Sequence, residues 1–295
     1  MQDFEFIILS RDVSQCQALL SRARLHRCTC IEWDGKDPGP WKKYLETAFA
    51  CINLSGEHVG NGRWTGALKK RIIESRVLST RALARAINDT VHPPRHFIQA
   101  SAVGYYGVYP DDTTFTEGDK AGEGFLARVV RLWEESTAEL ERVGVRCSIL
   151  RIGVVLGIDD GILSRFLPLF RKNLGVCMGS GRQVISWIHI EDTIRAIRFI
   201  LDRDQGGVFN LTAPNPVSAR TFSQTMGDTL GKNRLIGVPA PLVRLLYGQM
   251  GEEVLLRGQK VLPRALLSSG FTFRFPSLRE AIHDIMYGGQ DTISH

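Results

Sequence analysis

The sequence predicts an α/β protein: a doubly wound, mostly parallel sheet joined to a smaller, mostly helical C-terminal lobe. Three observations carry this reading. Short apolar, β-prone runs alternate with longer segments of helical period, as in βα units on a sheet covered on both faces. Small, polar or charged residues follow those runs directly, at the edge where such a sheet meets its ligands. The last third changes texture and is helical in pattern from Pro239 onward. Residues 1–157, with sheet elements returning to about residue 215, are assigned to the sheet domain, and residues 216–295 to a substrate or lid lobe.

The first strand is read at Phe4-Glu-Phe-Ile-Ile-Leu9, followed by Ser10-Arg11-Asp12 and a helical stretch to about Arg24. Cys28-Thr-Cys-Ile-Glu-Trp33 is a second strand, ending at Asp34-Gly35. After the Pro38/Pro40 loop and a short helix, Ala48-Phe-Ala-Cys-Ile-Asn-Leu54 is a third, running into Ser55-Gly56. A long helix is expected over residues 65–88, a strand over 95–100, a helix over 124–143 and a strand over 146–151 leading into Gly153-Val-Val-Leu-Gly157. Further on, Gly179-Ser-Gly-Arg-Gln183 is a turn and Ser186-Trp-Ile-His189 is extended. A helix at 192–201 and a strand at 207–211 follow. Ser218 has the residue type and position of an N-cap for a helix to about Leu230.

Bulk properties narrow the class. With 43% hydrophobic and 23% charged residues over 295 positions, the chain is an ordinary globular protein rather than a disordered or fibrous one. No apolar run reaches the ~18–20 residues of a membrane span, and the acidic start lacks the basic-then-apolar pattern of a signal peptide, so a cytoplasmic location is expected. The six cysteines, at 16, 28, 30, 51, 147 and 177, form no Cys-x-x-Cys pair and are read as buried, reduced thiols rather than metal ligands or disulfides. The net charge of +6 raises the question of nucleic acid, but the only concentrated basic stretch is Arg63 to Arg85. A solvated helix face is the plain reading of that stretch and a phosphate contact the alternative. Neither nucleic acid nor a membrane is expected as a partner, and the oligomeric state is left open.

The residues after the strands carry the chemistry. Arg11 follows a strand end where a dinucleotide-binding sheet meets the adenosine ribose, and a forked, permanently charged donor there suits a 2′-phosphate. A surface arginine in a turn is the alternative. Asn53, Leu54, Ser55 and Gly56 end another strand, and glycine there permits close backbone approach to a ligand, although a simple turn has the same composition. Ser101-Ala-Val-Gly-Tyr-Tyr-Gly107 offers a hydroxyl with two tyrosines behind it, suited to a substrate carbonyl, or equally a glycine-rich turn with packed aromatics.

Together with Arg63-Trp64, Ser75-Arg76, Phe125-Leu-Ala, Trp133-Glu134, Trp187-Ile-His-Ile-Glu-Asp192, Leu256-Arg-Gly-Gln-Lys-Val-Leu-Pro263 and Gly270-Phe-Thr-Phe-Arg-Phe-Pro276, these segments resemble the atypical extended short-chain dehydrogenase/reductases of the epimerase family. The resemblance spans nearly the whole chain, including the family's C-terminal domain. It implies a Rossmann-type fold and an NADP(H) site. In that site Ser10 and Arg11 meet the 2′-phosphate, Asn53, Leu54, Ser55 and Gly56 run along the ribose and diphosphate, Arg76 reaches a phosphate, and Ser101, Gly153 and Val154 line the nicotinamide end. A small-molecule substrate and an oxidoreductase or nucleotide-sugar epimerase ancestry are implied as well. His189 belongs to a segment common to extended members and is expected to be structural.

Two departures matter. The wider superfamily uses a Tyr-x-x-x-Lys pair, whose lysine lowers the tyrosine pKa for proton transfer. Here the corresponding helix, Gly124-Phe-Leu-Ala-Arg-Val-Val-Arg-Leu-Trp-Glu134, has no tyrosine. Aligned on its Tyr-Gly end, Ser101 falls one place early for the usual catalytic hydroxyl, leaving Ala102 there. The candidates for chemistry are therefore Ser101, Tyr105 and Tyr106, and a non-catalytic, NADP(H)-responsive binding protein is the competing class. The second departure is the start. The superfamily opens on a strand and a Gly-x-x-Gly-x-x-Gly turn over the pyrophosphate, and this chain begins where the second strand belongs. About twenty further residues upstream are expected in a cofactor-competent form. As given, the sheet is expected to show either a gap or an improvised pairing between residues 4–9 and 50–54, and to bind NADP(H) poorly.

Overall fold

The computed structural model describes residues 4–60, 62–108, 113–158 and 161–288; residues 1–3 of the acidic start lie outside them. Four parallel strands form the main sheet: β3 (Ala50–Asn53), β4 (His96–Ala102), β5 (Arg146–Ile152) and β9 (Gly207–Leu211), in the order β9-β5-β4-β3. A second parallel pair joins β1 (Phe6–Ser10) to β2 (Cys28–Glu32). Among the described residues no hydrogen-bonded pairing links β1 to β3. Of the two outcomes expected there, the structure shows the gap. Two smaller parallel pairs, β6 (Val154–Leu156) with β8 (Trp187–His189) and β7 (Gly175–Met178) with β10 (Leu235–Val238), carry the chain into the C-terminal third.

Helices α1 (Val13–Arg22), α2 (Gly66–Asn88), α3 (Phe125–Glu135), α4 (Gly161–Arg171) and α5 (Ile190–Asp202) connect the strands. Local chemistry sets their ends. The Asp12 carboxylate accepts from Gln15 N–H, Thr65 Oγ1 from Leu68 N–H and His189 Nδ1 from Glu191 N–H, each relieving an unpaired donor of a first turn. Ser218 caps α6 (Ala219–Thr229) as its residue type predicts, accepting from Thr221 N–H at 3.0 Å. The helix expected over 124–143 is shorter, because Ser136 Oγ donates to Trp133 O and Thr137 Oγ1 to Glu134 O. Those hydroxyls compete with the backbone ladder, and the chain continues as a separate 3-10 turn at Ala138–Val143.

Packing is uneven. One face of the main sheet shares a core with α2 (Ala82, Leu83, Ala86, Ile87), and Trp33 and Trp41 close it. The other face packs Ile98, Leu150 and Phe209 against Ile188, Ala196 and Ile200 of β8 and α5. Leu266, Phe271 and Phe273 of the C-terminal third return to that same core. By contrast, α1 buries no residue. It is tied instead by a disulfide, Cys16–Cys30, which corrects the expectation that all six thiols are reduced. Cys16 lies on the side of α1 that faces β2, with the two Cα atoms 6.3 Å apart. Of the other four, Cys177 is buried and Cys28, Cys51 and Cys147 are half-buried.

Two histidines are held inside this framework. His96 Nε2 is 2.8 Å from Ser148 Oγ, and His189 packs on Phe275 with ring centroids 4.0 Å apart. Burial lowers the pKa of both below the ordinary 6.5, although Asp204 and Asp284 respectively oppose the shift. The folded state thus prefers the neutral rings, and the stability they contribute is complete above the unfolded value and lost as pH falls below it. Urea midpoints should decline from pH 7 to pH 5, and less steeply in His189→Gln. A flat profile for the parent protein would contradict the buried, neutral assignment.

Candidate functional site

The residues after β1, β2 and β3 converge. A cavity of about 390 Å³ opens at the carboxyl ends of these strands. Its walls include Ser10 and Arg11 after β1, Trp33 to Lys36 after β2, and Ser55 and Gly56 after β3. The Ser10 hydroxyl donates to Asp12 O and accepts from Asp12 N–H, folding the turn that presents Arg11. Asp34 holds its own turn by accepting from the N–H groups of Lys36 and Asp37, and those bonds draw its carboxyl below the usual range. Arg11 is exposed and has no carboxylate partner among the described residues.

Asn53 and Leu54 do not line this cavity. Asn53 is buried, its amide donating to Thr80 Oγ1 (3.0 Å) and Gln99 Oε1 (3.1 Å) while its Oδ1 accepts from Ser55 N–H (3.1 Å). It shapes the loop from below. Leu54 points to solvent. Arg76 is also outside. Its Nη1 donates to Glu57 O (2.9 Å) and Ile72 O (3.1 Å), and its guanidinium lies 4.9 Å over the Trp133 ring. Burial brings its pKa down to about 10, against a small opposing pull from Glu57. It supports Gly56 closely: a Cβ on Gly56 would stand 2.9 Å from Arg76 Cζ, so a side chain there would require the guanidinium to shift.

Sequence reasoning missed the α2 residues that do face the cavity, Arg71, Glu74, Ser75 and Leu78. Their spacing, three, four and seven from Arg71, is one helical stripe and was readable once the cavity side of α2 is known. The basic stretch forms no single face: Lys69 bonds Gln249, Lys70 pairs with Glu74, Arg71 lines the cavity and Arg76 is tucked under the loop.

A second group gathers at the ends of β4 and β5. Arg151 and Glu134 form a buried, two-pronged ion pair, Nε to Oε1 and Nη2 to Oε2, both 2.9 Å. The Ser101 hydroxyl donates to Glu134 Oε1 at 2.5 Å. Arg151 stacks on Tyr105, with Cζ 3.3 Å from the ring centroid, and Nη1 donates to Tyr106 Oη (3.1 Å). Tyr106 Oη in turn donates to Asn210 Oδ1 at 2.7 Å. Burial pushes the Tyr106 pKa up to about 12 despite the neighbouring Arg151. Burial also works against the charge on Arg151, but Glu134 more than offsets it and the pKa stands above the ordinary arginine value.

Of the three candidate hydroxyls, those of Ser101 and Tyr106 are therefore bonded inside the fold, and Tyr105 is half-buried with its ring face under Arg151. Gly153 follows β5 at the same sheet edge, where a Cβ would strike the Ser186 carbonyl, and Val154 enters β6. Neither they nor Ser101 border the cavity at Arg11. Among the described residues no cluster of metal-ligating side chains is present, and no helix is long and apolar enough to cross a membrane.

Comparison with known proteins identifies the family and the fold. Residues 2–212 match the NAD dependent epimerase/dehydratase family, and residues 238–285 match a domain of unknown function, DUF1731. The chain is 36% identical to epimerase family protein SDR39U1 of Mus musculus, over 90% of this chain and 94% of that protein. It is 32% identical to epimerase family protein YfhF of Bacillus subtilis, over 88% and 84%. The crystal structure of human epimerase family protein SDR39U1 (isoform 2) with NADPH superposes with a TM-score of 0.81 at 31% identity, covering 96% of this chain and 99% of that one.

Removing Glu134 strands a buried guanidinium, a change that costs about 3–5 kcal/mol. Glu134→Ala should lose that much in urea unfolding, and Glu134→Gln, which keeps one acceptor for Arg151, should lose clearly less. Equal, small losses in both would show that the pair is not held away from water.

Proposed function

Because the chain belongs to the NAD dependent epimerase/dehydratase family, we propose that it is an NADP(H)-binding member working on a small carbonyl or nucleotide-sugar substrate. The observation that carries the reading is the cavity where Ser10, Arg11, Ser55 and Gly56 converge after β1 and β3. Its chemistry fits the adenosine end of the cofactor. Arg11 offers a guanidinium for a 2′-phosphate, Lys36 and Arg71 add positive charge, and Gly56 leaves the backbone open to close approach. NADP(H), when bound, supplies hydride transfer. The chain's own part is to orient it at this strand edge and to present the neighbouring Tyr105 hydroxyl.

The competing reading is a protein that binds NADP(H) without turnover and responds to it. It is favoured by the second group: Ser101 and Tyr106 spend their hydroxyls on Glu134 and Asn210, and the helix α3 carries no tyrosine. Hydride exchange between NADPH and a panel of carbonyl and sugar-nucleotide substrates separates the two.

A charge-assisted contact to the extra phosphate is worth about 1.5–3 kcal/mol, roughly ten- to a hundredfold in affinity. Arg11→Ala should raise the Kd for NADPH by that factor and leave the Kd for NADH unchanged, as read by fluorescence titration. Parallel weakening of both cofactors would remove Arg11 from the phosphate. If turnover is found, Tyr105→Phe should cut kcat by about a hundredfold or more. Full activity in that variant would take Tyr105 out of the chemistry.

A further inference from the structure

The Cys16–Cys30 bridge spans two walls of the cavity. Cys16 stands on α1, five residues after Arg11, and Cys30 in β2, three residues before Trp33. Arg11 directly precedes Asp12, the cap of α1, and Trp33 to Lys36 continue from β2 along the cavity. Backbone pairing holds the two walls together as far as Trp33 N–H on Ser10 O (3.0 Å). Past that bond the bridge sets the direction in which α1 leaves the Arg11 turn, with the two Cα atoms 6.3 Å apart.

Its surroundings suit exchange with an outside thiol. Both cysteines are half-buried rather than sealed in a core. The segment between them includes Arg22, Arg24, His26 and Arg27 and no acid. A positive surrounding of that kind draws an anionic thiolate toward the sulfur atoms. By contrast, Cys177 is buried, and burial raises its pKa above the ordinary thiol value, which keeps it out of such chemistry.

We propose that Cys16 and Cys30 form a thiol–disulfide centre for a dithiol reductant, and that opening it loosens α1 and the Arg11 turn and so weakens nucleotide binding in the cavity. A thiolate of the reductant attacks one bridge sulfur, and the other leaves as a thiolate that takes a proton from water. The second thiol of the reductant then displaces the mixed disulfide. The bridge gains two electrons and two protons, and the dithiol leaves as its own disulfide. The bridged form holds the Arg11 turn in place before a ligand arrives, whereas the reduced form must order it on binding. The effect on affinity rests on the NADP(H) reading; the thiol–disulfide centre itself does not.

The test is residue-resolved hydrogen exchange on the full chain, oxidised and then reduced with dithiothreitol, followed by NADPH titration of both forms. Reduction should release the Cys16 and Cys30 thiols to a labelling reagent. It should speed exchange at the amides of Gln17 to Ala23 by about tenfold or more, with Phe97 and Ile98 of β4 unchanged. The Kd for NADPH should rise by about three- to tenfold, the cost of re-ordering the Arg11 side chain. By reciprocity, saturating NADPH should lower the reduction potential of the bridge by about 30 mV for each tenfold difference in affinity. Cys16→Ser should behave as the reduced form under both conditions, and Cys28→Ser, which keeps the bridge, as the parent. No thiols released by dithiothreitol, or equal exchange of α1 in the two forms, overturns the proposal, and the reduced parent answers even where Cys16→Ser does not fold. Loosening of α1 with an unchanged Kd overturns it as well, because the bridge would then not reach the site. Absence of NADPH binding in both forms would instead sink the cofactor reading, and the hydrogen exchange would still decide the bridge.

Discussion

The ion pair between Arg151 and Glu134 is the constraint around which the candidate site is arranged. Charges this deep are stable only when geometry and further hydrogen bonds replace the lost water, and here every prong is used. Arg151 sits at the end of β5, Glu134 on α3, and the pair recruits Ser101 from β4, both tyrosines of the following turn and, through Tyr106, Asn210 of β9. Three neighbouring strands and one helix are thus registered to one another at the sheet edge that matters. The same arrangement fixes which hydroxyls are left over, and so decides what the site has available for chemistry.

Much of the fold was legible because its signals are local. Apolar strand runs, capping residues and the turn chemistry after each strand lie within a few positions of one another, and β1 to β5 and β9 fall where those patterns place them. The convergence of Ser10, Arg11, Ser55 and Gly56 was legible for the same reason: a parallel sheet puts all its strand ends on one edge. Arg76 shows where such reading stops. It stands near the loop in sequence, but five residues past Arg71 is about 140° around a helix of 3.6 residues per turn, and the phase carries it to Trp133 instead of the cavity. The partners of Tyr106 are farther still: Asn210 is 104 positions away and leaves no local trace. The Cys16–Cys30 bridge was missed because a helix and a strand had to be docked before the two thiols met.

The unevenness of the packing follows from the sheet. Inside the main sheet β4 is sealed on both faces, with six consecutive residues buried, while β3 at its edge buries only Asn53. The β1–α1–β2 unit instead leans on the body through Leu9, Ile31 and Trp33 and is braced by its disulfide. Arg11 and the cavity walls at Trp33 to Lys36 ride on that unit, whereas Ser55, Gly56 and Arg71 ride on the body. The two halves of the proposed adenosine site therefore belong to parts packed to unequal depth, and the seating of β1 against the body sets the distance between Arg11 and Ser55.

The C-terminal third acts on the second half of the site in a comparable way. Both oxygens of Glu253 accept from the first-turn amides of α3, Phe125 N–H (3.1 Å) and Leu126 N–H (3.0 Å), across 128 and 127 positions of chain. A carboxylate there satisfies donors that the helix cannot and favours its positive end. The same helix carries Glu134 near its other end. Glu117 makes a parallel link, accepting from Ala265 N–H and Asn210 N–H with its side chain and from Arg151 with its carbonyl. The position of Glu134 against Arg151, and with it the disposition of Ser101, Tyr105 and Tyr106, is accordingly coupled to how the C-terminal elements seat. In this chain those elements are part of the site's support.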